Sequence, residues 1–248
     1  MKKTVQVLLG GIFLISSSAL AADAHLTGQA STLVQKSVSA YTQMQSYQSL
    51  MQREYPGEGK KSEDIWVRFE KPFAIFMGWK AGPKKGLQIV YARNHFEDKI
   101  LARPKGFLFT FIPIVHMAKT DPRIGSEEEH SIDTAGIGYM LNDFADDFSK
   151  ALAEGNIDEI SINDVEIDGE VAREVTVVFN DENRKFPKVS MAYSKDHNLP
   201  VETIYFTAEG EPYEIYRYLD LKPNSDLNDD ANKSAIDHRL HKYLVDIQ

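Results

Sequence analysis

The spacing of apolar residues along the chain changes period several times. In residues 28–46, GQASTLVQKSVSAYTQMQS, Val34, Val38, Tyr41 and Met44 recur at helical spacing, and Ser31 or Thr32 is placed to cap the start. From residue 46 the period drops to two. SYQSLMQREY reads as a strand closed by a Pro56-Gly57 turn, and EDIWVRFE as another, with Ile65, Val67 and Phe69 on one face. FAIFMGWK follows Lys71-Pro72, LQIVYA follows a Gly-Pro turn, and a short strand is expected near residues 99–102. After an apolar run and a polar, irregular stretch at 120–133, Thr134 opens a second helix. It carries Ile137, Leu141, Phe144, Phe148 and Leu152 in one stripe, with Asn142, Asp143, Asp146, Asp147 and Lys150 on or near the opposite face. Gly155 stops it. Alternation then returns through DVEIDGEVAREVTVVFN, with a hairpin turn at Asp168-Gly169, and through KVSMAYS, PVETIYFT and PYEIYRYLDL. A polar linker and a final helix with Ile236, Leu240, Tyr243, Leu244 and Ile247 on one face complete the chain.

About nine or ten strands joined by short turns, with three helices, predict an α+β fold built on an antiparallel sheet. Alternating strands make one face apolar and leave the other wet. The stripes at 137–152 and 236–247 are natural covers for the apolar face.

The segment GFLFTFIPIVHM, residues 106–117, departs from this pattern. Both of its faces are apolar, so it needs cover on both sides, and Pro113 argues against a central strand over its whole length. Eleven or so apolar residues are too few to span a bilayer. Three readings stay open: a core strand, a flap bent at Pro113 that closes an apolar cavity, or a surface patch for a partner or membrane. We expect it to close a cavity together with the helix at 137–152.

Composition narrows the setting. Met1-Lys2-Lys3, an apolar stretch at 5–19 and Ala19-Leu20-Ala21 have the charged, apolar, small-residue order of a secretory signal peptide. The expected organisation is a signal peptide at 1–21, a single domain at 22–223, and a linker with an amphipathic helix packing on the domain at 224–248. The chain has no cysteine, so no lipid-attachment cysteine, disulfide or thiolate metal site is available. A net charge of −9, more negative once residues 1–21 are removed, argues against nucleic acid and anionic membrane surfaces as partners. The expected location is the periplasm, with no lipid anchor and no integral membrane segment.

Candidate chemistry is sparse. Of seven histidines only His238 and His241 have ligand spacing, and both point away from the apolar stripe of their helix. Residues 126–133, SEEEHSID, read as a charged surface loop, and Asp143, Asp146 and Asp147 as a solvated helix face. No nucleophile elbow, phosphate loop or dinucleotide fingerprint occurs. No catalytic residue, metal or cofactor is expected, and the chain is not read as an enzyme.

The order of elements resembles the periplasmic lipoprotein-carrier superfamily, the LolA/LolB-like proteins. The matching residues are Trp66, Val67, Lys71, Pro72, Phe76 and Trp79, together with the closing hairpin NLPVETIYFTAEGEPYEIYRYLDL. Within that superfamily the chain looks closest to an uncharacterised family of secreted bacterial proteins. The resemblance implies a strongly curved antiparallel half-barrel whose concave apolar face is closed by helices and binds acyl chains or other lipids. In the carrier the basic residue before proline is an arginine. Here it is Lys71, two residues further from Trp66-Val67 and without the planar fork.

The expected lining of the apolar cavity is Trp66, Phe69, Phe76, Phe109, Phe111, Leu141, Phe144 and Phe148, with core packing the alternative for the aromatics. Lys71 is the candidate contact for a ligand headgroup. The expected function is a non-enzymatic carrier or binding protein for a lipid or acyl chain, including that of a lipoprotein. The alternative is an envelope-sensing or partner-binding module.

Overall fold

The computed structural model describes residues 13–57, 60–103, 114–121, 124, 131–181, 183–225 and 240, with residues 13–23 as backbone only. Helix α1 spans Phe13–Gln43, so the expected signal-peptide boundary after Ala21 lies inside its span. Strands β1 (Ser46–Tyr55), β2 (Lys61–Glu70), β3 (Ala74–Trp79), β4 (Gln88–Ala92), β5 (Ile100–Arg103) and β6 (Val115–Met117) follow. Helix α2 (Ile137–Glu154) then leads to β7 (Ile157–Ile167), β8 (Glu170–Phe179), β9 (Lys188–Ser194), β10 (Pro200–Phe206) and β11 (Pro212–Pro223). The helix expected to open at Thr134 begins at Ile137, after a 3-10 turn at Ile132–Thr134, and stops before Gly155 as expected; the hairpins predicted from alternation are present. The segment 106–117 lies outside the described residues up to Pro113, and its end forms the edge strand β6.

All eleven strands form one antiparallel sheet in the order β6-β5-β4-β3-β2-β1-β11-β10-β9-β8-β7. It has two edges and does not close into a barrel. Laid flat, eleven strands would be about 48 Å wide, and two helices of about 10 Å diameter could cover less than half of that. Yet one continuous buried cluster reaches from Met117 at one edge strand to Ile167 at the other, taking in Ala30 and Val34 of α1 and six α2 side chains. The sheet therefore curls around the helices, as twisted sheets of this width do. The fold is α+β, a curved open sheet with α1 and α2 on its inner face.

Tight contacts fix the helices there. Tyr47 of β1 is fully buried and its hydroxyl accepts the Ile137 backbone N–H at 3.2 Å, satisfying one of the free donors at the start of α2. Gly136 enters this turn at φ 100°, and a Cβ there would sit 2.7 Å from the same hydroxyl. Gly138 lets α2 touch α1, since a Cβ on it would overlap the Tyr41 ring and hydroxyl. The approach to α2 is anchored from the sheet. The Tyr91 hydroxyl lies 2.6 Å from Asp98 Oδ1 and 2.7 Å from Asp133 Oδ1, sharing its one proton between them. Lys119 Nζ bridges both carboxylates, at 2.7 and 2.9 Å. Its ammonium and the Tyr91 hydroxyl hold the Asp98 carboxyl below its usual range. The same contacts sustain a turn in which Phe96, Glu97 and Asp98 all take positive φ, an arrangement that costs free energy at non-glycine residues.

Candidate functional site: the inner face of the sheet and its cleft

Residues of alternate parity on each strand face the helices. On β2 these are Ile65, Val67 and Phe69; on β3, Ile75, Met77 and Trp79; on β4, Ile89 and Tyr91. Of the expected lining, Phe69, Leu141, Phe144 and Phe148 lie in this inner cluster, at most 4% exposed, with Phe144 and Phe148 stacked at 6.0 Å. Trp66 and Phe76 do not join them. They are one residue out of phase and lie on the outer face, edge to face at 5.4 Å, with Val90, Leu101 and Leu240. The expectation of a single lining is corrected on this point, because a side chain one position along a strand points to the other side. Phe109 and Phe111 lie outside the described residues.

Lys71 has a structural partner. Its Nζ donates to the carbonyls of Tyr41 (2.6 Å) and Thr42 (2.8 Å), capping the last turn of α1, and its ammonium lies 4.6 Å from the Tyr41 ring centre. Desolvation lowers its pKa. With two of its three donors on the helix end, it is committed to the fold.

A cleft of about 270 Å³ opens onto the inner face between α2 and strands β9 and β10. Phe144, Phe186, Val189 and Tyr205 make its apolar walls, and Asp143, Asp147, Arg184 and Lys185 its rim. Arg184 is paired with Asp147 and lies 3.8 Å from the Phe179 ring centre. Lys185 sits over Phe186 and Tyr213. The cleft is slightly smaller than the 300 Å³ at which drug-sized pockets begin, so it holds at most part of a long chain. Sequence reading did not single out Phe186, in the turn between β8 and β9, or Tyr205, on the alternating strand PVETIYFT; it read Asp143 and Asp147 as a solvated face, and Asp143 is exposed. The turn between β8 and β9 brings Arg184 back to Asp147.

Behind the cleft the inner face turns polar. Arg53 and Glu63, on neighbouring strands, form an ion pair at 2.5 Å with side chains 11% and 6% exposed, and Tyr216 donates to Glu214 at 2.5 Å. Beside them, Trp79 Nε1, Tyr193 Oη, Thr203 Oγ1 and Tyr218 Oη are buried and have no hydrogen-bond partner among the described residues. A buried polar group left unpaired costs about 1–3 kcal/mol. Register places Trp79, Ile65, Met51 and Tyr218 in one row across β3-β2-β1-β11, with Thr203 one row away, opposite Tyr216. Burial pushes the Tyr218 and Tyr193 phenols far up, so both stay protonated and able to donate. Among the described residues no cluster of three metal-ligating side chains occurs, and no helix is long and apolar enough to cross a membrane.

Several solved structures resemble the chain. MucB is 15% identical, with 82% of this chain and 62% of that chain covered and a TM-score of 0.48, so this chain spans about three fifths of MucB. The lipoprotein LppX of Mycobacterium tuberculosis is 14% identical over 84% of this chain and all of that one, with a TM-score of 0.48. A LolA superfamily protein of Nitrosomonas europaea is 9% identical, with 79% and 93% covered and a TM-score of 0.35. The neighbours thus include a member of the superfamily named from the sequence. No curated protein matches the sequence significantly. A family profile matches residues 44–237, from the start of the sheet into the C-terminal segment, and by that match the chain belongs to the family described as protein of unknown function (DUF1571).

Proposed function

We propose that the protein is an exported binding or carrier protein for a lipid or acyl chain, held between the inner face of the sheet and α2. One observation carries this reading: a continuous apolar face, roofed by a helix, with a cleft walled by Phe144, Phe186, Val189 and Tyr205 leading into it. Binding is driven by burial of the chain, at about 25 cal/mol per Å² before ordering costs. One sixteen-carbon chain offers about 0.8 kcal/mol per methylene, so a micromolar site needs only part of it buried. Export by a signal peptide cut after Ala21 would leave α1 to begin at residue 22 and keep its buried Ala30 and Val34. The test is native mass spectrometry of the protein purified from periplasm without detergent, followed by lipid extraction. A bound species of lipid mass, lost on denaturation, is expected; a bare mass together with failure to take up added lipid would end this reading.

A second reading, a module that binds an apolar segment of another envelope protein, is supported by Leu240. That side chain, from a distant part of the chain, is fully buried on the outer face among Phe76, Val90 and Leu101. The same surface would accept a partner's segment if its own were displaced. A protein complex surviving purification from envelope extract, with no lipid present, would favour it.

A further inference from the structure

A second recess, of about 240 Å³, lies on the outer face of the sheet at the hairpin that joins β3 to β4. Trp66, Gly78, Lys80, Lys85 and Gln88 line it. Register explains why it exists. Trp66 pairs with Gly78 and Gly78 with Gln88, so the outer-face row across β2-β3-β4 has a gap where Gly78 carries no side chain. A Cβ there would come within 3.2 Å of the Phe76 ring, so the gap and the packing of Phe76 need the same glycine. The hairpin beside the gap is closed tightly. The Trp79 carbonyl accepts the Gly86 N–H at 2.8 Å, and the Asp64 carbonyl accepts the N–H groups of Lys80 and Ala81 at 2.7 and 3.3 Å. Gly86 takes φ 89° to make this turn. Lys80 and Lys85 are thereby held at the rim.

In a chain of net charge −9 this recess is locally basic. Lys80 Nζ lies 5.8 Å and the Arg68 guanidinium 5.9 Å from the Trp66 ring centre, within cation–π range. Among the described residues no carboxylate lines the recess, and Asp64, on the same face of β2, accepts from Gln52 at 3.3 Å. Trp79 borders it as well, and its Nε1 is buried with no hydrogen-bond partner among the described residues. The lining side chains are therefore donors, two ammoniums, two indole N–H groups and an amide, with the Gln88 carbonyl their one acceptor. A sugar ring would bring hydroxyl protons with little to receive them, and an uncharged ring would leave both ammoniums unmatched. The volume falls below the 300 Å³ at which drug-sized pockets begin, which leaves room for one ring. We propose that this recess binds a single-ring aromatic carboxylate, its ring against Trp66 and its carboxylate paired with Lys80 and Lys85. The site stands apart from the acyl-chain reading, because it lies on the face turned away from α2.

The chain has two tryptophans and both border this recess, so the two indole N–H signals of isotope-labelled protein report on it directly. Titration with phenylpropionate is expected to move both signals and to saturate at roughly millimolar concentration. Its uncharged amide should need a concentration about fivefold higher. In the double variant Lys80→Gln, Lys85→Gln the acid and amide curves should converge. Both lysines are exposed, so the rest of the spectrum should match the parent. If that variant fails to fold, Lys85→Gln alone should narrow the gap. Free aromatic acids and the last residue of a protein ending in phenylalanine share this chemistry. An acetylated tripeptide ending in phenylalanine that binds more tightly than phenylpropionate assigns the site to a protein terminus, and weaker binding assigns it to free acids. Equal binding of acid and amide by the parent, or a preference that survives in the double variant, would overturn the pairing with the lysines. Glucuronate binding at lower concentration than phenylpropionate would overturn the aromatic ring. If neither indole signal moves with any of these ligands, the proposal falls while acyl-chain binding beneath α2 is untouched.

Discussion

Tyr47 and Tyr218 meet edge to face at 6.4 Å, and both are buried, yet their hydroxyls are used differently. The Tyr47 hydroxyl holds the first backbone N–H of α2, whereas the Tyr218 hydroxyl has no partner among the described residues. Removing the first strands a buried amide; removing the second strands nothing. Tyr47→Phe should lower stability by about 1–2 kcal/mol, and Tyr218→Phe should leave it unchanged or raise it, read as urea unfolding midpoints at constant slope. A lower midpoint for Tyr218→Phe would mean that its hydroxyl is paired after all. At this scale the sequence was legible only where alternation was followed strictly. Ile65, Val67 and Phe69 were placed on one face by period two, and they share it. Trp66 was grouped with them because it is aromatic, although its parity already put it opposite. Phe76 was a harder case: FAIFMGWK is apolar on both faces, and only pairing with β2 and β4 decides which of them looks inward.

Helix α2 is the roof of the site, and its attachment differs at its two ends. Its start is pinned by Tyr47 and by the Tyr91–Asp98–Asp133–Lys119 network just before it, while its later turns border the cleft. Because the lowered pKa of Asp98 belongs to the folded state, its contribution is complete above the ordinary value of 3.8 and is lost as pH falls through the lowered one. Asp98→Asn should therefore melt below the parent at neutral pH, and the difference should shrink as the pH is taken below about 4. A difference constant with pH would remove the carboxylate from the network's stability. The periodicity of α2, its stripe and its Gly155 stop were legible because amphipathic helices announce themselves locally. The Asp147–Arg184 pair was not, since it joins residues brought together by a turn no pattern reports.

Leu240 packs on the outer face of the sheet, opposite α2, and the rest of the expected C-terminal helix lies outside the described residues. Leu240→Asp should uncover Phe76, Val90 and Leu101, raising the fluorescence of 1-anilinonaphthalene-8-sulfonate, while binding under α2 stays as in the parent. Loss of binding in this variant would show the two faces to be coupled.

For the molecule as a whole, a ligand that binds the folded state at a hundred times its Kd adds about 2.7 kcal/mol. In a domain of this size that raises Tm by roughly 5–10 °C. A lipid that fails to move Tm at millimolar concentration would turn attention to the outer face and the second reading. Antiparallel class and the helical cover were readable because each strand alternates and each turn is short. How the halves of the sheet meet was not, because strand order depends on pairings between residues far apart in sequence.

Strands β1 to β6 form one meander and β7 to β11 another, each built from hairpins between neighbours. The two are joined by a single seam, β1 against β11, where Tyr47 faces Pro223 and Met51 faces Tyr218 across about 170 residues of chain. Local hairpins form in microseconds, but a pairing of such separation must wait for the loop to close. The first meander is complete long before its partner strand is synthesised, and until then β1 presents a bare edge beside an uncovered apolar face. Under the export proposed above, this order of events keeps the whole sheet from locking before its last strand arrives. The same delay leaves the half-built sheet open to association through its bare edge until the seam closes.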